Sequence, residues 1–117
     1  MAPLPLLAAF AALFPTVVAP ESSFTLTTNH RDTIRLAHLT CGPAGGTHGN
    51  AHHACAALSE VDGRIDELRA APVSCTMEYD PVTVTATGTW RGERRRFTQT
   101  FENPCVLRAG TGHVFDF

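Results

Sequence analysis

The sequence lacks a long run of charge of either sign. Its 117 residues have a formal net charge of −2, and the longest run of like charge is the trio Arg94-Arg95-Arg96. A protein that binds nucleic acid normally concentrates more basic side chains on one face. The trio lies next to a predicted strand turn, where arginines are more typical of a solvated sheet edge that discourages strand pairing. We therefore predict no nucleic-acid partner, and the average apolar and charged content favours one small globular domain.

The sequence also lacks the motifs of common enzyme and metal sites. His48, His52 and His53 are close together, but no carboxylate general base follows them in a metalloprotease pattern. We interpret them as solvated loop histidines, with a small histidine-dependent metal-binding protein as an alternative. Ser59 and Ser74 lack the context of a nucleophile elbow, and no two cysteines have the close spacing of a zinc or thioredoxin motif. We predict that the protein is not an enzyme and holds neither a metal nor a cofactor.

Charge is absent from the segment Met1 to Pro20, which consists mostly of Ala, Leu, Val, Phe and Pro. Prolines at positions 3, 5 and 15 disfavour a membrane-spanning helix. The segment is more typical of a secretory signal, because an apolar stretch runs from Leu6 to Phe14 and Val17-Val18-Ala19 is a small-residue cleavage pattern. We predict a signal in residues 1–20 and a secreted, extracellular domain in residues 21–117, with no membrane segment in the mature form.

The chain contains four cysteines, and an even number in a short exported chain indicates disulfide bonds. Four cysteines allow three pairings. The spacing favours Cys41 with Cys55 and Cys75 with Cys105, because each of these pairs brackets a compact segment. Closing the second loop, of about thirty residues, contributes about 3–4 kcal/mol in the chain-entropy model.

Alternation of apolar and polar residues predicts a sheet of about five mostly antiparallel strands. Residues 29–32 and 91–93 have the composition of turns, and residues 42–50 form a glycine-rich loop. The predicted strands are, in order, residues 24–28, 33–41, 82–90 and 96–101, followed by a last short strand at residues 113–117.

One amphipathic helix is predicted between the two strand pairs. Asn50 is well placed as its N-cap, and Pro72 prevents the helix from continuing much beyond Arg69. The fold class is therefore α+β, a two-layer sandwich of one sheet and one main helix. The helix has an apolar stripe at steps of four and three, formed by Ala54, Leu58, Val61, Ile65 and Leu68.

An exposed loop is predicted for residues 73–80, between the helix and the second strand pair. Met77 follows a half-cystine by two residues, and methionine most often fills a gap in a core. Here, however, Glu78 is charged and Pro81 interrupts a strand ladder, which favours exposure. A large apolar side chain next to a covalent crosslink is a feature that a protease pocket can bind without rapid cutting.

Several motifs, in the same order around the four cysteines, resemble the Streptomyces subtilisin inhibitor family. The resemblance covers most of residues 21–117, and its motifs are specific when they are taken together. They are Leu39-Thr40-Cys41-Gly42-Pro43, Gly46-Thr47-His48, Ala54-Cys55-Ala56-Ala57-Leu58, Cys75-Thr76-Met77-Glu78-Tyr79-Asp80-Pro81-Val82, Gly88-Thr89-Trp90-Arg91-Gly92, Phe101-Glu102-Asn103-Pro104-Cys105 and the ending Val114-Phe115-Asp116-Phe117.

The resemblance implies a two-layer sandwich that is usually dimeric through its sheet, the two disulfides favoured above and no cofactor. It implies a reactive bond between Met77 and Glu78, with Met77 entering the specificity pocket of a subtilisin-like serine protease. Chymotrypsin-like enzymes are a second class of partner. Asn103 is expected to hydrogen-bond behind the loop and hold its shape. The reactive-site loop comprises Cys75, Thr76, Met77, Glu78, Tyr79 and Asp80.

Two residues of the loop depart from the usual pattern of that family. Thr76 stands where proline is frequent, and Glu78 stands where an apolar residue is common. The expected function is a secreted, tight-binding inhibitor that occupies a protease active site like a substrate. The alternative is a secreted structural or binding domain that keeps the scaffold but has lost inhibitory activity.

Overall fold

Five strands form one antiparallel sheet in the order β3-β2-β1-β4-β5 in the computed structural model, which describes residues 19–117 together with Pro3 and Leu13. The remaining residues of the predicted signal segment lie outside the described part of the chain. The fold class predicted from the sequence is confirmed. The strands are β1 (Ser22–His30), β2 (Thr33–Cys41), β3 (Gly45–Gly46), β4 (Val82–Trp90) and β5 (Glu93–Phe101).

Two hairpins with two-residue turns build most of the sheet. β1 and β2 are joined by Arg31 and Asp32, which have φ angles of 53° and 59°. β4 and β5 are joined by Arg91 and Gly92, with φ angles of 47° and 85°. Positive φ at both positions is characteristic of the type I′ turn, whose twist matches that of the flanking strands. The hairpins are those predicted, with turns shorter than the sequence suggested, and β1 pairs with β4 to join them.

Helix α1 (Ala51–Glu60) is shorter than predicted, and the expected continuation to Arg69 is wrong. The chain leaves the helix through Asp62 and Gly63, which both have left-handed φ angles of 55° and 74°. Gly63 packs so closely on Trp90 that a Cβ atom would lie 2.5 Å from the indole Cγ. The apolar residue Ile65, further along the predicted stripe, reaches the core from a short 3-10 helix (Ile65–Glu67) instead.

The C-terminal region contains a second helix, α2 (Pro104–Thr111), which the sequence analysis did not predict. The strand expected at residues 113–117 is wrong, because these residues form turns after α2, and the fifth strand is β3. A local signal for α2 was present, since Asn103 followed by Pro104 is a typical N-cap with proline at the first helical position. No helix in residues 19–117 is both long and apolar enough to cross a membrane.

The core lies between the inner face of the sheet and the two helices. Disulfide Cys41–Cys55 joins β2 to α1, and Cys75–Cys105 joins the segment before β4 to α2, which is the pairing favoured by the spacing. The first bond joins the sheet to the helix layer and the second joins a loop to that layer, and each restricts the unfolded chain by closing a loop. The largest fully buried side chains are those of Leu26, Leu39, Leu58, Val84 and Val114.

The histidines differ in their surroundings. His52 and His53 are exposed, as predicted, but the interpretation of His48 as a solvated histidine is wrong. His48 is only 5% exposed, its Nε2 lies 2.9 Å from the Val114 carbonyl oxygen, and its Nδ1 accepts a hydrogen bond from the Asn50 backbone N–H. Asn50 is the N-cap residue of α1, as predicted, but its side chain makes no capping hydrogen bond, and its Nδ2 donates to the Asp116 carbonyl. Among the described residues, no group of three or more histidine, cysteine or acidic side chains could hold a metal ion.

Candidate functional site

The Met77 loop, defined as residues 73–80, has no regular secondary structure and lies between the 3-10 helix and β4. The side chain of Met77 is 94% exposed and that of Tyr79 is 80% exposed. Exposed apolar side chains of this size normally have a binding role when they occur together on a surface. Met77 therefore does not fill the core, and three anchors hold the loop from behind.

The first anchor of the Met77 loop is the disulfide between Cys75 and Cys105. Cys105 belongs to the first turn of α2, so the covalent bond fixes the chain two residues before Met77 to a helix. A backbone hydrogen bond from the Ala71 N–H to the Ala109 carbonyl, 2.7 Å long, holds the approach to the loop against the same helix. The N-terminal half of the loop is thus attached to α2.

The second anchor is the side chain of Asn103, which is 3% exposed. Its Oδ1 accepts a hydrogen bond from the Val106 N–H and thereby caps α2. Since a backbone N–H can only donate, this contact turns Nδ2 towards the loop. Nδ2 donates to the Thr76 carbonyl at 3.2 Å and to the Glu78 carbonyl at 2.8 Å. One amide group therefore holds the carbonyls on both sides of Met77.

The third anchor is Asp80, at the C-terminal end of the loop. Its N–H donates to the Glu102 carbonyl at 2.8 Å, and its carboxylate receives hydrogen bonds from Arg31. His30 Nε2 lies 2.9 Å from the same carboxylate. Hydrogen bonding from Arg31, and then from His30, holds the pKa of Asp80 below its ordinary value. The sequence analysis missed Arg31 and His30, because no local pattern links the β1–β2 turn to the loop.

These contacts present the Met77–Glu78 peptide bond to solvent on a segment fixed at both ends. The described residues contain no free cysteine, and the residues on either side of Met77–Glu78 include no histidine. The geometry of the loop suits a segment that is bound by another protein in an extended conformation.

A family model described as subtilisin inhibitor-like matches residues 14–103. The chain belongs to the subtilisin inhibitor-like family. Membership identifies it as a protease inhibitor and not an enzyme, as the sequence analysis predicted. The comparisons give no support to the alternative of a scaffold that has lost inhibitory activity.

Relatives in the subtilisin inhibitor-like family match over most of the chain. Protease inhibitor SIL-V2 of Streptomyces orinoci is 49% identical over 86 residues, which cover 71% of this chain and 79% of the relative. Subtilisin inhibitor-like protein 5 of Streptomyces fradiae is 44% identical over 108 residues, which cover 91% of this chain and 96% of the relative. These matches confirm the family resemblance inferred from the cysteine-centred motifs.

A solved structure of a related inhibitor supports the fold. Sermetstatin of Streptomyces caespitosus, in a crystal structure with Bacillus licheniformis subtilisin, superposes with a TM-score of 0.65 and 34% sequence identity. The match covers 82% of this chain and 98% of sermetstatin. The two-layer α+β architecture of this subtilisin inhibitor-like protein is thus shared with an inhibitor that binds subtilisin.

Proposed function

We propose that the chain inhibits subtilisin-like serine proteases by presenting Met77–Glu78 as a bond that is bound tightly and cut slowly. The observation that carries this proposal is the combination of an almost fully exposed Met77 with fixed carbonyls on either side of it. Met77 enters the apolar specificity pocket of the protease. Chymotrypsin-like enzymes are a second class of target, whereas trypsin is poorly matched because its pocket favours a cation.

Tight binding is expected because the Met77 loop is already ordered before it contacts a protease. The Cys75–Cys105 disulfide and the Asn103 amide restrict the loop, so little conformational entropy is lost on docking. The extended loop adds to an edge of the protease as a strand, and its backbone forms hydrogen bonds while Met77 fills the pocket. The anchors contribute affinity mainly because they lower the cost of ordering the loop.

Slow cutting is expected because the two chain ends produced by cleavage of Met77–Glu78 stay close together. The protease serine attacks the Met77 carbonyl, and the Glu78 amine is displaced as the acyl-enzyme forms. The Asn103 hydrogen bond to the Glu78 carbonyl keeps this amine near the acyl group. Re-attack by the amine restores the peptide bond and frees the serine, so resealing competes with hydrolysis by water.

Stoichiometric titration tests the proposed function. A fixed concentration of subtilisin is incubated with increasing amounts of the chain, and residual activity is measured with a small chromogenic substrate. We expect activity to fall linearly and to vanish near one inhibitor chain per protease molecule. Full activity at a severalfold molar excess of the chain would contradict the proposal and favour a binding domain without inhibitory activity.

Replacement of Glu78 by valine is expected to strengthen inhibition. Glu78 is exposed in the free protein, and docking of the loop buries its carboxylate at the protease surface without an assigned partner. We expect the inhibition constant for subtilisin to fall about tenfold, since a 1.4 kcal/mol gain corresponds to that factor.

The matched variant Glu78→Gln separates charge from shape in this experiment. It removes the negative charge but keeps the length and the polar end of the side chain, so we expect an intermediate inhibition constant. Weaker inhibition by Glu78→Val than by the wild type would show that the carboxylate makes a favourable contact with the protease.

We also propose that two chains associate through the outer face of the sheet. This face is opposite the helices and combines threonine side chains with the exposed apolar residues Ile34 and Leu36, which are 69% and 57% exposed. Removal of such side chains from water favours association. Sedimentation equilibrium of residues 21–117 is expected to give twice the mass of one chain, and the mass of a single chain would refute the dimer.

Export is proposed for the chain, with residues 1–20 as the signal. The uncharged apolar composition of this segment supports export, as do the two disulfide bonds, which persist in oxidising surroundings. The first strand begins at Ser22, directly after the proposed boundary. N-terminal sequencing of protein from the culture medium is expected to begin close to Glu21, and a chain that is found only inside cells would contradict export.

A further inference from the structure

The β1–β2 turn contacts the C-terminal end of the Met77 loop through a pair of charges. Arg31 Nε donates to Asp80 Oδ1 at 3.1 Å, and Nη2 donates to Oδ2 at 3.0 Å. This is the bidentate arrangement in which arginine and a carboxylate interact most strongly. The Asp80 side chain is 16% exposed, so the pair is better shielded from water than a typical surface ion pair on the carboxylate side.

Arg31 also has an unusual backbone conformation. Its φ angle of 53° lies in the left-handed region, which is unfavourable for a residue with a long side chain and common for asparagine or glycine. The side chain donates to Asp80, and this hydrogen bond, followed by the negative charges of Asp80 and Glu78, raises the pKa of the guanidinium.

The Arg31–Asp80 pair lies close to the chain end that cleavage of Met77–Glu78 would create. If Met77–Glu78 is cut, the new amine is that of Glu78, which lies two residues before Asp80. The disulfide attaches the Met77 side of the cut close to the bond, through Cys75, whereas on the Glu78 side the half-cystine is the distant Cys105. Asn103 and the Glu102 carbonyl hold this side of the cut by uncharged hydrogen bonds. The Arg31–Asp80 pair adds a charged contact that connects it to a different hairpin of the sheet.

We propose that Arg31 is a positioning residue of the inhibitor, and that its ion pair with Asp80 holds the Glu78 amine in place for resealing. This inference rests on the proposed function of the Met77 loop and assigns a specific task to a residue remote from it in sequence. Loss of the pair lets the Glu78 side of the loop move away from the acyl-enzyme, and water then completes hydrolysis more often.

The second hairpin provides a matched control within the same molecule. Arg91 occupies the first position of the β4–β5 turn with a φ angle of 47°, and its partner is Glu21 at 3.9 Å. Both of these side chains are 66% exposed, and neither contacts the Met77 loop in the described part of the chain. Arg31→Gln and Arg91→Gln therefore make the same chemical change in equivalent turns, one against the loop and one away from it.

The test compares the rate at which catalytic amounts of subtilisin cut Met77–Glu78 in the wild type and in five variants of the full inhibitor. We expect Arg31→Gln to raise this rate about tenfold. Asp80→Asn also disturbs the contact with His30, so we expect it to raise the rate at least as much, and the double variant to equal Asp80→Asn, because the Arg31 contact is already lost in it. Arg91→Gln is expected to leave the rate unchanged. Arg31→Lys keeps the charge but not the bidentate geometry, so we expect a rate of cutting between those of the wild type and Arg31→Gln.

Several outcomes would overturn the inference: equal effects of Arg31→Gln and Arg91→Gln, no effect of Arg31→Gln, or single effects that multiply in the double variant. Amide hydrogen exchange of the free protein is a second test, which requires no protease. Faster exchange at residues 78–80 in Arg31→Gln, but not in Arg91→Gln, is expected. If the wild type fails to inhibit subtilisin, the proposed function is wrong, while unchanged exchange refutes the anchoring role of Arg31 independently.

Discussion

Replacement of Met77 by glycine is expected to abolish subtilisin inhibition without affecting the fold. The Met77 side chain is 94% exposed, so it makes no contribution to the core that its removal could cancel. In the proposed complex the same side chain is the apolar anchor, and truncation of such a central anchor typically costs about 3 kcal/mol or more. Glycine also loosens the loop. We expect the inhibition constant to rise at least about a hundredfold.

The Met77→Gly experiment needs a control for general damage to the loop. Met77→Leu keeps a large apolar side chain of similar volume, so we expect it to inhibit nearly as well as the wild type. Inhibition constants from progress curves are compared with thermal unfolding of each variant, which we expect to change little. An inhibition constant that is unchanged in Met77→Gly would show that another residue occupies the protease pocket.

Removal of the loop disulfide is expected to convert the inhibitor into an ordinary substrate. Cys75 and Cys105 are separated by 30 residues, and loss of a crosslink of this length destabilises a protein by about 3–4 kcal/mol in the chain-entropy model. The double variant Cys75→Ser with Cys105→Ser also frees the N-terminal side of the Met77 loop. We expect the denaturation midpoint to fall and the first cut by subtilisin to be at least about tenfold faster.

A variant that lacks the other disulfide is the control that distinguishes loss of stability from loss of loop order. Cys41→Ser with Cys55→Ser removes a bond of similar type, which closes 14 residues and joins β2 to α1 away from the Met77 loop. Both double variants are assayed at a temperature at which circular dichroism shows them folded. We expect fast cutting of the Met77 loop only without Cys75–Cys105. Equally slow cutting in both would contradict a role of the loop disulfide in inhibition.

The hairpins were predictable because their information is local. Alternation along each strand, together with short turns, specifies which residues face the core and which strands pair. The end of α1 was not predictable in the same way. Gly63 ends the helix in a left-handed conformation against Trp90, a contact between segments that are far apart in sequence. The apolar stripe continued past this point, so periodicity alone favoured a longer helix.

The candidate site was likewise predictable only where its information is local in sequence. Exposure of the Met77 loop could be inferred from Glu78 and Pro81, which fit poorly in a core or a central strand. The contact of Arg31 with Asp80 could not be inferred from the sequence, because it depends on how the first hairpin lies against the loop. His48 was misjudged for a related reason, since its partner Val114 comes from the C-terminal segment.

Identification of the first bond that subtilisin cuts tests the central claim most directly. The chain is incubated with a catalytic amount of subtilisin, and the products are measured by mass spectrometry before and after reduction of the disulfides. We predict one slow cut between Met77 and Glu78, with the two fragments joined through Cys75–Cys105 until reduction separates them. A first cut at any other bond, or rapid digestion at many bonds, would contradict the assignment of the Met77 loop as the inhibitory site.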